Sequence, residues 1–223
     1  MRLPVALALA AAALVSMPAG ITQAQITHTC FGEPATVVGT PGDDELQGDV
    51  VVGLAGSDII TGRLVCGGKD GDDYLSGYMV NAGPGDEREI FIHGPLAICG
   101  PGSDKFWDRD LGGAPRQVWR GGDGDDMFVP GGGEDVFYGG AGADRTGGGQ
   151  PGWSEKLHQF GGDGNDILFG GPSKDKIYGE DGDDNLRLYG VEEDFVDGGP
   201  GFDTCIVAAG DRAVNCEDVT VVG

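Results

Sequence analysis

The sequence predicts an all-β fold in which short parallel strands wind into a β-solenoid. Three nonapeptides run without a gap from Gly161 to Arg187, each with Gly in the first position, Asp in the sixth and an aliphatic residue in the eighth. Glycine accounts for 45 of the 223 residues, far above the average usage of about 7%. The formal net charge is −23. A fixed nine-residue period of this composition is typical of a parallel β-helix.

Each position of the nonapeptide has a physical role. Glycine permits positive φ in the turn, so that carbonyl oxygens can point inward, and the sixth-position Asp adds a carboxylate. These hard oxygen ligands suit Ca²⁺, which takes six to eight of them in a loose geometry. Positions seven to nine form a short strand, so Leu168, Ile177 and Leu186 should point to the same inner side. A disordered acidic chain would not show such an apolar period.

One nonapeptide is long enough for half a coil, so consecutive turns should fall on opposite edges of the solenoid. An ion is then expected between one turn and the turn two units later. The loops of Asp166 and Asp184 form such a pair.

The N-terminus is typical of a secretory signal peptide over residues 1–24. Arg2 precedes an apolar run from Leu3 to Val15, and Thr22-Gln23-Ala24 provides a cleavage site. The run is shorter than the roughly 20 residues that a membrane span needs. Cleavage would remove Arg2 and change the formal net charge from −23 to −24. Such an acidic chain is not expected to bind nucleic acid, which requires a basic surface. We therefore expect a secreted, extracellular protein whose residues 25–36 form an N-terminal cap segment.

Five cysteines lie beyond the predicted cleavage site, at positions 30, 66, 99, 205 and 216. In an exported protein, cysteines are expected first of all to form disulfide bonds. Cys205 and Cys216 flank a predicted turn and should pair. We expect Cys30 to pair with Cys66, and a Cys66–Cys99 bond is the alternative. One thiol is left over in either case.

The first repeats are longer than nine residues. They begin at Gly39, Gly53, Gly68, Ala82 and Cys99. We infer that each is a full coil with one shortened edge, so that all five Asp-type turns stack on the other edge. The shortened edge would turn at Gly48-Asp49, Gly62-Arg63 and Gly77-Tyr78. The alternative is that four-residue deletions have damaged alternate repeats, which predicts a less regular N-terminal half.

The later repeats return to the nine-residue period, interrupted by two inserts. Units begin at Gly121, Pro130, Gly139, Gly161, Gly170, Gly179, Tyr189 and Gly198. The inserts, 107–120 and 147–160, carry all three tryptophans and several basic residues, and we predict loops that bulge from the solenoid. Their tryptophans either cover exposed core edges or form a partner-binding patch. Residues 207–223 lose the period and should form a C-terminal cap, a short pair of strands.

The predicted calcium ligands are the sixth-position aspartates of the region 37–206. They are Asp44, Asp58, Asp73, Asp104, Asp126, Asp135, Asp144, Asp166, Asp175, Asp184, Asp194 and Asp203. In the unit that begins at Ala82, Glu87 takes the Asp position.

On these motifs the chain resembles the RTX, or haemolysin-type, calcium-binding repeat family over about residues 37–206. The resemblance implies a right-handed parallel β-roll with calcium ions in its turns. In many members the roll is attached to a protease, lipase or pore-forming domain. This sequence departs from them in its N-terminal signal and in having no room for a catalytic domain, so it is more similar to small secreted proteins made almost wholly of repeats.

The sequence favours a binding protein over an enzyme. Its three histidines, His28, His93 and His158, form no H-E-x-x-H motif, and the nucleophile-elbow and phosphate-loop patterns fail as well. The first hypothesis is a calcium-binding scaffold or a surface or matrix component that folds outside the cell. The alternative is a recognition protein that holds an extracellular protein or glycan with the two inserts.

Overall fold

The computed structural model describes residues 28–108, 116–147 and 155–223, and this part of the chain contains strands and no helix. No helix in it could therefore span a membrane. The strands, numbered in chain order, are β1 Thr29–Cys30, β2 Glu33–Pro34, β3 Val37–Val38, β4 Glu45–Leu54, β5 Ile59–Gly68, β6 Tyr74–Asn81, β7 Glu89–Pro101, β8 Lys105–Asp108, β9 Gln117–Asp123, β10 Met127–Val129, β11 Gly133–Ala141, β12 Arg145–Thr146, β13 Glu155–Asp163, β14 Ile167–Phe169, β15 Lys176–Asp181, β16 Asn185–Arg187, β17 Phe195–Asp197, β18 Thr204–Ala208, β19 Arg212–Val214 and β20 Asp218–Val222.

From β3 onward every described pairing is parallel, and the strands wind into a β-solenoid of about 10 coils, as predicted. The coils have two faces. Face A contains the first halves of β4–β7 and then β8, β10, β12, β14, β16, β18 and β20. Face B contains β3, the second halves of β4–β7 and then β9, β11, β13, β15, β17 and β19. We call the turns that lead into face A edge A, and those that lead into face B edge B.

The N-terminal coils each carry one Asp-type turn and one tight corner. Gly48 pairs with Gly62, and Gly62 with Gly77, at the corners of successive coils. Their Asp-type turns therefore all lie on edge A, which confirms the interpretation of one shortened edge and excludes damaged alternate repeats. At the corner of β7 the register shifts, where His93-Gly94 lies among extra residues.

The hydrophobic core runs along the inside of the coils. Leu168, Ile177 and Leu186 are all fully buried, as the eighth-position pattern predicts. In the middle of the solenoid the core is aromatic, because Trp119 packs edge-on against Phe106 at 5.4 Å between ring centroids and at 5.0 Å from Phe128. These wide rings fill the interior at the point where the N-terminal coils, each with one shortened edge, give way to coils made of two nonapeptides.

Trp119 corrects one prediction about the inserts. It lies in β9 with no exposed surface, so it belongs to the core and not to an exposed loop. Within the insert ranges, residues 107–108, 117–120 and 155–160 are strand residues of the coils. Trp153 and the residues 109–115 and 148–154 lie outside the described residues.

Two disulfides fasten the ends of the solenoid. Cys30 bonds to Cys66 and Cys205 to Cys216, while Cys99 remains a buried free thiol, as expected. The first bond ties the β1–β2 hairpin, the antiparallel pair of the described fold, to the second coil. The hairpin covers the outer side of face B there, where Cys30 clusters with Val50 and Leu64.

The C-terminal residues continue the coils. β19 pairs in parallel with β17, and β20 with β18. The predicted strand pair is thus wrong in its arrangement, since each strand extends a different face. The predicted signal peptide, 1–24, lies outside the described residues.

Candidate calcium-binding turns

A ladder of hydrogen bonds runs along edge A from coil to coil. In each rung the backbone N–H of a sixth-position residue donates to the carboxylate of its counterpart one coil later, as from Asp144 to Asp166 at 2.7 Å and from Asp166 to Asp184 at 2.8 Å. The other rungs, all 2.8–2.9 Å long, join Asp44 to Asp58, Asp58 to Asp73, Glu87 to Asp104, Asp104 to Asp126, Asp126 to Asp144, Asp184 to Asp203 and Asp203 to Glu217. Edge A therefore aligns the acidic turns along the solenoid.

Edge B carries a shorter version of the same ladder. Asp175 donates from its N–H to Asp194 at 2.8 Å, and Asp194 to Asp211 at 3.1 Å. One coil earlier the position is held by Leu157, whose N–H donates to Asp175 at 2.7 Å. Asp135 accepts from the N–H of Gln117 at 3.1 Å. Leu157 thus separates Asp135 from the acidic run that starts at Asp175.

The ladder uses one oxygen of each carboxylate. The second oxygen, Oδ2, is buried and has no hydrogen-bond partner among the described residues in Asp58, Asp126, Asp144, Asp166, Asp184, Asp194 and Asp203. A buried polar atom without a partner is costly, and these atoms recur at one position of successive turns. They mark one position, common to all of these turns, where a cation would satisfy the carboxylate.

The first-position glycine leaves the space next to this oxygen open. A Cβ built on Gly161 would collide with Oδ2 of Asp166 and would lie 2.6 Å from the carbonyl oxygen of Gly179, one coil later. Carboxylate and carbonyl oxygens from adjacent coils of edge A therefore converge where any side chain would intrude. On edge B the turn of Gly170 differs, because Oδ2 of Asp175 accepts a 2.6 Å hydrogen bond from the N–H of Gly171 and the side chain of Leu188 lies beside Gly170.

The fourth-position glycine is required for a different reason. Gly164 and Gly182 have φ values of 140° and 147°, which L side chains rarely adopt. A Cβ on Gly182 would also lie 2.6 Å from the carbonyl carbon of Gly164. Glycine at this position therefore lets the turns stack closely enough to bring their oxygens together.

Burial makes the turn carboxylates harder to ionise. Burial raises the pKa of Asp126 to about 8, of Asp166 to about 7 and of Asp144 to about 6, opposed by the ladder hydrogen bonds. On edge B, burial raises the pKa of Asp175 to about 7. The local environment thus disfavours the charged form unless a positive charge compensates it.

In the fourth Asp-type turn the sixth position is held by Glu87, whose pKa is strongly raised. Burial, followed by a hydrogen bond and charge repulsion from Asp104, raises the pKa of Glu87 to about 11. The longer Glu side chain thus meets the carboxyl group of the next turn. Unless a cation binds there, this pair retains a proton at neutral pH.

The donor set fits calcium. No group of three or more His, Cys, Asp or Glu side chains in the described residues could hold a metal by itself, so backbone carbonyls would have to supply the remaining ligands. Carboxylates combined with carbonyls, all of them oxygen, are the ligands that Ca²⁺ prefers, and its flexible geometry tolerates a turn made mostly of backbone.

Eleven of the twelve predicted ligands lie in turns of the solenoid, nine of them on edge A and two, Asp175 and Asp194, on edge B. The predicted turn position is wrong for Asp135, which lies within strand β11 near edge B. The ligand prediction leaves out two acidic residues that end the ladders, Asp211 on edge B and Glu217 on edge A. They lie in the tail where the nonapeptide pattern is lost, and their spacing of 17 and 14 residues from the preceding rung was the available signal.

Comparison with known families agrees with this geometry. The RTX calcium-binding nonapeptide repeat matches in four copies, at residues 48–64, 120–150 and 160–188. The chain carries RTX repeats. No curated protein and no solved structure matches it. The RTX ladder of edge A also includes Asp73, Asp104 and Asp203, which lie outside the matched segments.

Proposed function

We propose that this protein is an exported calcium-binding scaffold whose RTX turns bind Ca²⁺ and thereby drive folding outside the cell. The observation that carries the proposal is the row of buried Oδ2 atoms that have no hydrogen-bond partner among the residues the structure describes. Those of Asp166 and Asp184 are typical. The role is that of a surface or matrix component, and it requires no catalysis. The two disulfides support an oxidising, extracellular location.

The energetics support folding that depends on calcium. Each site that binds only the folded chain adds about 1.4 kcal/mol when calcium is at ten times its Kd. Several such sites together approach the 5–15 kcal/mol that stabilise a whole domain. Extracellular calcium modules bind at about 10⁻⁴ to 10⁻³ M. A chain with these affinities would remain unfolded where calcium is scarce and fold where it is plentiful.

The test is folding measured with and without calcium. Far-ultraviolet circular dichroism of the mature chain should show little β-structure in EGTA and a strong β signal after calcium is added in excess. Magnesium at the same concentration is the control, because its stricter octahedral geometry suits these turns poorly. A β signal that is unchanged by EGTA would refute the proposal.

Calorimetric titration would then count the sites. If the edge A turns bind calcium along the whole solenoid, the number of bound ions should exceed what the turns of the C-terminal coils alone could hold. Deleting the acid of one N-terminal turn, by Asp58→Asn, should lower the number of bound ions. An unchanged number would mean that this turn does not bind calcium.

A further inference from the structure

The outer side of face B between β9 and β19 concentrates basic residues in a strongly acidic chain. The sequence contains 37 acidic but only 14 basic residues. Five of the basic residues lie along this side, at Arg116, Arg120, Lys156, Lys176 and Arg212. We call this surface the basic strip. Such segregation of charge creates a local positive potential that the composition of the chain does not suggest.

Two adjacent strands of face B, β13 and β15, have the same order of side chains. In β13, Lys156 and His158 lie near edge B, Phe160 follows, and Asp163 lies near edge A. In β15 the order is again basic, aromatic and acidic. The acidic side chains are therefore kept at the opposite end of the strands, next to the calcium-type turns.

The cations of the strip lie close to one another. The pKa of His158 is lowered, first by burial and then by the positive charges of Lys156, Lys176 and Arg116. Glu134 compensates only part of this charge, through one ion pair with Lys156 at 3.1 Å. The strip thus has an excess of positive charge with few partners in the described part of the chain.

A rigid aromatic column borders the strip. The rings of Tyr138, Phe160 and Tyr178 stack nearly parallel, with 4.9 Å between successive centroids. The guanidinium group of Arg120 lies over the Tyr138 ring at 5.1 Å. Because these side chains are already immobilised, a ligand that bound here would lose little side-chain entropy.

The column remains partly open to solvent. The β1–β2 hairpin covers face B only at its first coils, against residues such as Val50 and Leu64. Tyr138 is 37% exposed. A shallow groove of about 420 Å³ runs along the other side of Tyr138 and Phe160, and its charged lining, which includes Glu180, is acidic. The described residues therefore leave this side of face B available to a partner.

We propose that the basic strip and its aromatic column bind an extracellular acidic polysaccharide. Lys156 and Lys176 lie on the adjacent strands β13 and β15, whose spacing of about 4.8 Å is comparable with the length of one sugar residue. Two neighbouring anionic groups of a linear polymer can therefore each meet one of these cations, and Arg116, Arg120 and Arg212 extend the positive surface on either side. The aromatic column offers the sugar rings an apolar surface. Duplex nucleic acid fits less well, because its bases are stacked inside the helix and offer no face to the aromatic column.

The test compares two charge-matched variants in the presence of calcium. K156Q/K176Q removes two cations from the strip, while K105Q/R145Q removes two exposed cations from face A. In affinity electrophoresis, a short oligogalacturonate or a heparin-derived oligosaccharide that is coupled to the gel matrix should retard the wild-type protein, whereas coupled neutral dextran should not. The two acidic probes distinguish carboxylate from sulfate recognition. We expect K156Q/K176Q to bind at least about fivefold more weakly, and K105Q/R145Q to bind within about twofold of wild type.

Circular dichroism separates this proposal from calcium-dependent folding. Both variants should keep the β signal of the wild type in calcium, because the substituted side chains are exposed or half-buried. The polysaccharide proposal is overturned if neither acidic probe retards the folded wild-type protein. It is also overturned if both variants weaken binding equally, or if duplex DNA binds as tightly as the sugars.

Discussion

The backbone N–H of Asp166 donates a 2.8 Å hydrogen bond to Oδ1 of Asp184, one coil further along the solenoid. The same carboxylate leaves Oδ2 buried and without a hydrogen-bond partner in the described part of the chain. One oxygen thus joins two coils, while the other is available to a ligand between them. Because this arrangement repeats along edge A, the acids that align the coils also place like charges in a row, and cations between the coils would relieve their repulsion.

Replacing Asp184 with Asn should weaken calcium binding more than it disturbs the turn. Asn keeps an oxygen that can accept the N–H of Asp166, but it puts an NH₂ donor where a cation would bind. We expect the loss of about one bound ion and a decrease of roughly 1–3 kcal/mol in the free energy of unfolding in calcium. Calorimetric titration and thermal unfolding measure the two effects.

Asp218→Asn is the matched control, because it removes the same charge from the exposed strand β20. It should leave the number of bound ions unchanged. If the two variants lost calcium equally, the ladder position would have no special role in binding.

The regular half of the molecule could be predicted from its period, since Ile177 and Asp184 each occupy a position that the nonapeptide fixes. Three features could not be predicted in this way. Trp119 lies in an insert by sequence but in the core by structure, because the insert contains a strand with no repeat signature. Leu157 also lies in a strand of an insert without a repeat signature, so its place at an Asp position of edge B could not be predicted. Glu217 continues the ladder by pairing in register although the motif around it is lost.

Trp119→Ala should destabilise the protein strongly, contrary to what an exposed recognition loop would predict. The side chain is fully buried between Phe106 and Phe128. Truncation leaves a large cavity and should cost about 3–5 kcal/mol. Chemical denaturation in calcium measures the loss. Tyr138→Ala, in a partly exposed aromatic column, should lower the free energy of unfolding clearly less. Equal losses would mean that Trp119 is no more tightly packed than Tyr138.

Gly182→Ala should be among the most damaging single-methyl substitutions in the chain. The residue has φ of 147°, and the added Cβ would overlap the backbone of Gly164 in the preceding coil. The conformational cost of about 1–2 kcal/mol and an overpacking cost of about 1–3 kcal/mol should both lower the free energy of unfolding.

Gly210→Ala separates these two costs. Gly210 also has a positive φ, 114°, but no atom lies within 4 Å of a Cβ built there. Thermal unfolding in calcium should therefore show a smaller loss for Gly210→Ala than for Gly182→Ala. Similar losses would mean that contact between stacked turns contributes nothing to the requirement for glycine.

The thiol of Cys99 offers a probe of calcium-dependent folding. The residue is buried and free, and burial raises its pKa well above the ordinary value, so it should react with a thiol reagent very slowly in the folded protein. Removal of calcium should expose one reactive thiol per chain, and restoring calcium should protect it again. Rapid labelling of the calcium-loaded protein would contradict the buried position.

The stability of the calcium-free protein should depend on pH in a direction opposite to that of an ordinary salt-bridged domain. Burial raises the pKa of Asp126 to about 8 and of Asp166 to about 7, from about 3.9 in the unfolded chain. Between these values the folded state binds more protons than the unfolded state, so the free energy of unfolding falls as the pH rises from about 4 to 8. Excess calcium should remove this loss, because the ion binds the ionised carboxylates. Far-ultraviolet circular dichroism of chelator-treated protein in metal-free buffers at several pH values measures the trend, because the folded fraction without calcium should be larger near pH 4 than near pH 8. A folded fraction that rises from pH 4 to pH 8 without calcium would show that the turn carboxylates are not the groups responsible.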